Sequence, residues 1–249
     1  MAIAWPTLLA RVNRCHRVGA AADRYGRRVP VAADPLAHLL RDVAAGRPMP
    51  ADGRTTVLAP TGRLSAVLAF TGHHVVVADV DPTWVGERLP VGDYGAPVSA
   101  PFLDELGRRL GRTYDNLDHV LVAPGAAGAP PARLLEDDPL HPHPRAERAR
   151  HYREDLRVWT TPDGAGLLLL GRGLAGRLEA SFEVLPEARG RGLGRALAAS
   201  ARHLSGGEPV WLQVAPGNAA SLRAVLGAGG YVPVGAELLY PPARGAAAP

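Results

Sequence analysis

The chain of 249 residues contains no lysine, one cysteine and one isoleucine. The absence of lysine excludes a Walker-type phosphate-loop lysine, a Schiff-base lysine and a lysine general base. A single thiol, Cys15, excludes an internal disulfide framework and any site built from several thiolates, and fits a reducing compartment. Aromatic residues are scarce, at 5%, and no run of five or more basic residues occurs, so the stacking platforms and charged stripes of nucleic-acid binders are missing. No apolar stretch approaches the roughly 20 residues of a membrane-spanning helix. At Met1–Arg14 the apolar residues precede Arg11 and Arg14, the reverse of a secretory signal, so this segment reads as a helix or lead-in and the chain as cytoplasmic. Arginine in place of every lysine and the near-absence of isoleucine are the bias of a GC-rich bacterial genome.

What is present is ordinary for a folded chain. Apolar residues make up 47%, charged residues 21%, and the net charge is +4. Apolar periodicity predicts a helix over 35–45 and strands over 55–59, 64–70 and 73–80, then a helix over 101–111 and a strand over 118–125. His73 and His74 are expected at a strand edge. Residues 124–131, PGAAGAPP, read as a linker. An acidic turn follows at Glu136, Asp137 and Asp138. His141 and His143 lack further ligands nearby, and no metal site is expected. Residues 145–155 read as helical.

Beyond 155 the pattern predicts strands at 155–161 and 165–171, joined by a Pro162-Asp163-Gly164 turn. Residues 177–185 alternate strictly, with Leu178, Ala180, Phe182 and Val184 on one face and Glu179, Ser181 and Glu183 on the other. A helix to about His203, a strand over 209–216 and a helix capped by Asn218 follow. YVPVG and AELLY read as a closing hairpin-like pair, and the tail beyond 243 as disordered. The order helix, three strands, helix, strand occurs twice, over about 35–123 and 145–214.

Two glycine clusters invite a phosphate. Gly171-Arg-Gly173-Leu-Ala-Gly176 matches a dinucleotide fingerprint literally, but a strand follows it instead of a helix, so it reads as a hairpin turn. Arg189-Gly190-Arg191-Gly192-Leu193-Gly194 lies between a strand and a helix. There, successive N–H groups converge at the positive end of a helix macrodipole, and glycine lets a phosphate approach the backbone. Arg189, Arg191 and Arg195 add positive charge. Phosphate binding and a plain glycine turn are both open on these residues alone.

The run Val184-Leu-Pro186-Glu-Ala-Arg189-Gly190-Arg191-Gly192-Leu193-Gly194-Arg195 resembles the acyl-CoA-binding motif of the GNAT N-acetyltransferase superfamily, with Arg189, Gly192 and Gly194 at its defining positions. The later segment VWLQV, Asn218-Ala-Ala-Ser221 and Gly229-Gly230-Tyr231 is similar to the family's second conserved stretch. The resemblance covers about 155–240. It implies an α/β (α+β) fold with a mixed, mostly antiparallel sheet flanked by helices, and a GNAT domain over 115–243. Residues 1–114 form an N-terminal α/β region. Either 118–152 supply the domain's first strand and helices, or 35–123 are a degenerate first copy without a CoA loop; 244–249 are the tail.

The resemblance also implies a site. Pantetheine would lie between the strands at 178–184 and 210–214, near Phe182 and Val184. The pyrophosphate would sit on Gly190, Arg191, Gly192, Leu193, Gly194 and Arg195 beside Arg189, with Asn218 and Ser221 close by. Acetyl-CoA would be the co-substrate and a primary amine on a small molecule or peptide the acceptor, with no nucleic acid and no membrane; a homodimer is compatible. Glu179 and Glu183 are the candidate general bases, a role that a raised carboxyl pKa would serve. The family's frequent general-acid tyrosine has no counterpart in Ser221–Leu226, where Val225 stands at about its position. That departure leaves a second reading open, a GNAT-like module that binds acyl-CoA as a sensor or scaffold without turnover.

Overall fold

The computed structural model describes residues 34–242. The expectations for Met1–Arg14, Cys15 and the tail over 244–249 lie outside those residues. Local signals set the element ends. The Asp34 carboxylate accepts from the N–H groups of Leu36 and Ala37 and opens α1 (Pro35–Ala44), whose Leu36, Leu40 and Val43 are buried. Strands β1 (Thr55–Leu58), β2 (Ser65–Phe70) and β3 (His73–Val77) follow, then the short α2 (Pro82–Gly86), capped by Asp81. Helix α3 (Ala100–Leu110) ends at Gly111, which takes the left-handed conformation. Then come β4 (Leu117–Ala123), β5 (Leu135–Asp137), α4 (Pro144–Tyr152), β6 (Glu154–Thr160), β7 (Gly166–Arg172), β8 (Leu178–Val184), α5 (Leu193–His203), β9 (Val210–Val214), α6 (Ala219–Gly227) and β10 (Val232–Tyr240).

The ten strands of the described residues belong to one sheet, in the order β1-β3-β2-β10-β4-β9-β8-β7-β6-β5. Two adjacencies, β1 with β3 and β8 with β9, are parallel, and the others are antiparallel. The fold is thus α/β with a mixed, mostly antiparallel sheet flanked by helices. On one face α1 packs over β2, β3, β4 and β9, and α4 packs over β6 and β7. On the other, α2 and α3 cover β2, β3 and β10, while α5 and α6 cover β7, β8, β9 and β4. The sheet runs unbroken through the chain on both sides of residues 114 and 115.

Several expectations change. The closing hairpin is a single strand. β10 pairs with β2 along one edge and β4 along the other, and the Pro233–Gly235 stretch that looks like a turn is a bulge against β4. Gly235 lies against the Ala69 carbonyl, where a β-carbon would collide with it. His73 and His74 lie on an interior strand and are buried; His73 bonds Asp52 at 2.7 Å and Thr56 at 2.9 Å. The proline- and glycine-rich stretch after β4 is no free linker. Ala126 N–H donates to Arg202 O, Ala132 N–H donates to Ser200 Oγ, and Gly125 packs on Gly207. The two similarly ordered segments differ in topology. β6, β7 and β8 form an antiparallel meander, whereas β1 pairs in parallel with β3.

Candidate functional site

β8 and β9 pair only through Leu178↔Val210, Glu179↔Trp211 and Ala180↔Leu212, although β8 continues to Val184 and β9 to Val214. Past Ala180 the two strands diverge and leave a notch in the middle of the sheet. A groove and a cavity meet at this notch and share Arg145, Phe182, Asn218 and Ser221 among their walls.

The groove lies on the α5 side. Its walls contain Phe182, Val184, Arg189, Gly190, Arg191, Gly192, Leu193, Gly194, Arg195, Asn218 and Ser221, so every residue that the sequence assigns to the coenzyme shares one surface. Gly190 and Gly192 have φ of +76° and +86°, a backbone that side chains other than glycine rarely adopt. The first backbone bond of α5 runs from Ala196 N–H to Gly192 O, which leaves the N–H groups of 193–195 without a carbonyl upstream in the helix. The loop therefore presents several amide donors at the positive end of a helix, with three arginines around it. Arg189 Nε donates to the Val184 carbonyl at 3.0 Å. Gly194 packs within 3.5 Å of Phe182 and 3.6 Å of Ala224, as measured from where its β-carbon would stand. The Asn218 side chain accepts from Ser221 N–H at 3.0 Å and starts α6. The literal fingerprint at 171–176 is the connection between β7 and β8, as its sequence context predicts.

The cavity lies on the α4 side and encloses about 610 Å³, room for a small organic molecule or the end of a larger one. Arg153, at the end of α4, spans the notch. Its guanidinium donates to Glu179 at 3.0 Å and Ser181 at 2.9 Å on β8, and to Gln213 Oε1 at 3.3 Å on β9. Glu179 is 1% exposed, and Arg177 Nε holds its other oxygen at 2.7 Å. Arg177 also donates to Glu237 on β10, so a buried Arg153–Glu179–Arg177–Glu237 chain ties β8, β10 and α4 together.

Both glutamates that the sequence suggests as bases are committed to arginines. Burial works to raise the Glu179 pKa, but the charges of Arg177 and Arg153 outweigh it and hold the carboxyl below its usual range. Arg145 bonds Glu183 at 2.7 Å and likewise lowers its pKa. The expected raised carboxyl is met at neither position. It is met at Asp118 on β4, which the sequence reading passed over as the first residue of a buried strand. Burial and the neighbouring Glu237 push Asp118 up to about 6. Asp118 lines the cavity, and its Oδ1 is buried without a hydrogen-bond partner. The one signal available was a carboxylate at the head of the apolar run HVLVA.

The nearest tyrosines are on this wall as well. Tyr152 Oη donates to Asp115 at 2.7 Å, and Tyr114 Oη donates to Asp104 at 2.6 Å. His143 accepts from Arg145 N–H and caps α4. Among the described residues no cluster of three or more histidine, cysteine, aspartate or glutamate side chains could hold a metal ion. Among the same residues, no helix is long and apolar enough to cross a membrane.

No protein-family model and no curated protein matches the chain. Among solved structures it is similar to an acetyltransferase from the GNAT family from Colwellia psychrerythraea, at 10% identity over 57% of this chain and 62% of that one, with a TM-score of 0.38. It is also similar to a GCN5-related N-acetyltransferase from Sphaerobacter thermophilus, at 18% identity over 57% of this chain and 56% of that one, with a TM-score of 0.33. A functionally unknown conserved protein from Staphylococcus epidermidis matches at 15% identity over 57% of this chain and 66% of that one, with a TM-score of 0.36. The chain thus spans less than two thirds of each of these proteins.

Proposed function

We propose that this chain is an acyl-CoA-dependent N-acetyltransferase that moves an acetyl group from acetyl-CoA to a primary amine. The observation that carries this reading is the notch where β8 and β9 stop pairing at Ala180 and Leu212. On one side of it lies a glycine loop with amide donors aimed at an anion, and on the other a cavity with carboxylates in its wall. The loop N–H groups and Arg189, Arg191 and Arg195 suit a pyrophosphate. From Ser181 to Val184, β8 keeps β7 on one edge and has no strand partner on the edge toward β9, which offers backbone groups to an amide-containing arm. A thioester at the apex of the notch would face the cavity, where an amine could reach it. The chain's part in the chemistry is to hold the two reactants in line and to accept the amine's proton.

The rival reading, an acyl-CoA-binding sensor without turnover, draws on the ion-paired state of Glu179 and Glu183. Amine-dependent release of the CoA thiol from acetyl-CoA separates the two. Binding is tested at Gly192. Gly192→Val forces a β-branched side chain into φ near +86° and sets it where a phosphate would approach the backbone. Titration calorimetry should show acetyl-CoA binding weakened at least about 100-fold, equivalent to roughly 2.7 kcal/mol. Circular dichroism should show the helices intact, because Leu197 keeps α5 anchored in the core. Arg189→Ala should cost less, since the backbone donors remain. A folded Gly192→Val protein that binds acetyl-CoA as tightly as wild type removes the main support for the assignment.

A further inference from the structure

Asp118 and Glu237 stand directly opposite each other on the antiparallel strands β4 and β10. Like charges in that relation destabilise a sheet, and a folding role alone gives no reason to keep both. Both line the cavity. Glu237 is 1% exposed, yet only its Oε1 is engaged, by Arg177; Oε2 is buried without a partner, as is Asp118 Oδ1. Two buried carboxylate oxygens thus lack a donor in the wall of one cavity, a cost of the kind that a bound cation with several N–H groups removes.

The groups around them do not close the account from within: Arg177 Nη1 and Gln213 Nε2 are buried too but bond neither oxygen. Arg148, on α4, is bonded to Asp115 at 2.6 Å. Arg153 is spent on Glu179, Ser181 and Gln213, and Arg145 on Glu183. Asp115 and His119 flank Asp118 on its own segment, Glu179 is held between its two arginines, and β9 brings only the uncharged Gln213 to this wall.

We propose that the Asp118–Glu237 pair is the acceptor subsite: it seats a primary ammonium group, and Asp118 takes that group's first proton. This rests on the acetyltransferase reading above and names its acceptor class, an amine that arrives as a cation. In the step, an N–H bond of the ammonium breaks and its proton moves to the Asp118 carboxylate. The freed nitrogen lone pair forms a bond to the thioester carbonyl carbon, and the C–S bond breaks. The second nitrogen proton goes to the leaving sulfur, giving an amide and the CoA thiol, and Asp118 returns its proton to water. The subsite is built by β4 and β10, neither of which carries the coenzyme loop.

The test uses the full chain and two isosteric probes, 1,4-diaminobutane and butane-1,4-diol, in titrations with and without saturating CoA. Wild type should bind the diamine and not the diol at pH 8. Its affinity should fall by tenfold or more at pH 5, because Asp118 loses its charge as the pH drops through about 6. Asp118→Asn, and independently Asp118→Ser, should lose at least tenfold in diamine affinity at pH 8 while binding CoA as wild type does. Thiol release from acetyl-CoA with the diamine should drop about 100-fold in Asp118→Asn. The same variant should melt higher than wild type at pH 8, with the gap narrowing as the pH falls from about 6 toward 3.8, because a like-charge pair has been relieved; loss of a structural aspartate would lower it. Equal affinity for diamine and diol, undiminished diamine binding in both variants, or no thiol release from wild type with the diamine bound overturns the proposal. Failure of CoA to bind wild type sinks the acetyltransferase reading instead, and the titrations without CoA report on the ammonium seat separately.

Discussion

Glu179 shows what an alternating sequence reveals and what it withholds. The pattern over 177–185 puts Glu179, Ser181 and Glu183 on one face of β8, and Arg153 indeed reaches both Glu179 and Ser181 from that side. Whether the face is wet is set by Arg153 and Arg177, which arrive from outside the strand's own alternation, so burial of Glu179 was not legible. For the same reason the proton affinity of Asp118 was not: it depends on Glu237, more than a hundred residues later in the chain. The coenzyme groove was legible because its residues are nearly contiguous and its chemistry is backbone chemistry. Glu179→Gln removes one charge from a buried chain of four and leaves Arg153 and Arg177 short of an anion. Stability should fall by roughly 3–5 kcal/mol in urea denaturation. A fall in thiol release without any loss of stability would instead return Glu179 to the reaction.

Most elements were readable from period and caps. α1, α3 and α5 carry apolar stripes, and Asp34, Gly111 and Asn218 cap α1, α3 and α6. β10 is one strand where the sequence predicts a hairpin-like pair, for a physical reason. Proline and glycine two residues apart are a turn signal, but here Pro233 falls at a bulge in the β4 register and Gly235 at the Ala69 carbonyl. No local rule distinguishes a turn from a strand pressed between two neighbours. Gly235→Val should therefore destabilise the fold by several kcal/mol, since the obstacle is backbone and cannot rotate away. A melting temperature within 2 °C of wild type, taken as roughly the resolution of such a comparison, would show that β10 and β2 are not pressed together as described.

On the scale of the whole molecule, the order of strands departs most from what the chain suggests. Sequence-local pairing yields β2 with β3 and the meander β6-β7-β8, both foreseeable. The insertion of β4 beside β9, and of β10 between β4 and β2, joins segments 87 or more residues apart and leaves no trace in periodicity. That insertion brings Asp118 and Glu237 to the cavity and makes one sheet of what the sequence divides near residue 114.

The central place of β10 also has a consequence in time. A ribosome makes the chain from one end, and residues 232–240 emerge after every other strand of the sheet. Without them the strand order falls into two parts, β1-β3-β2 and β4-β9-β8-β7-β6-β5, with the backbone groups of β2 and β4 unpaired along the edges where β10 lies. The strand that joins the two halves of the sheet also completes the acidic wall of the cavity, and no nascent chain that stops short of it has both. Ribosome-bound chains stalled before and after these residues have emerged should differ sharply in protease resistance across β2 and β4. Equal protection in both would mean that the two parts find another way to cover their edges.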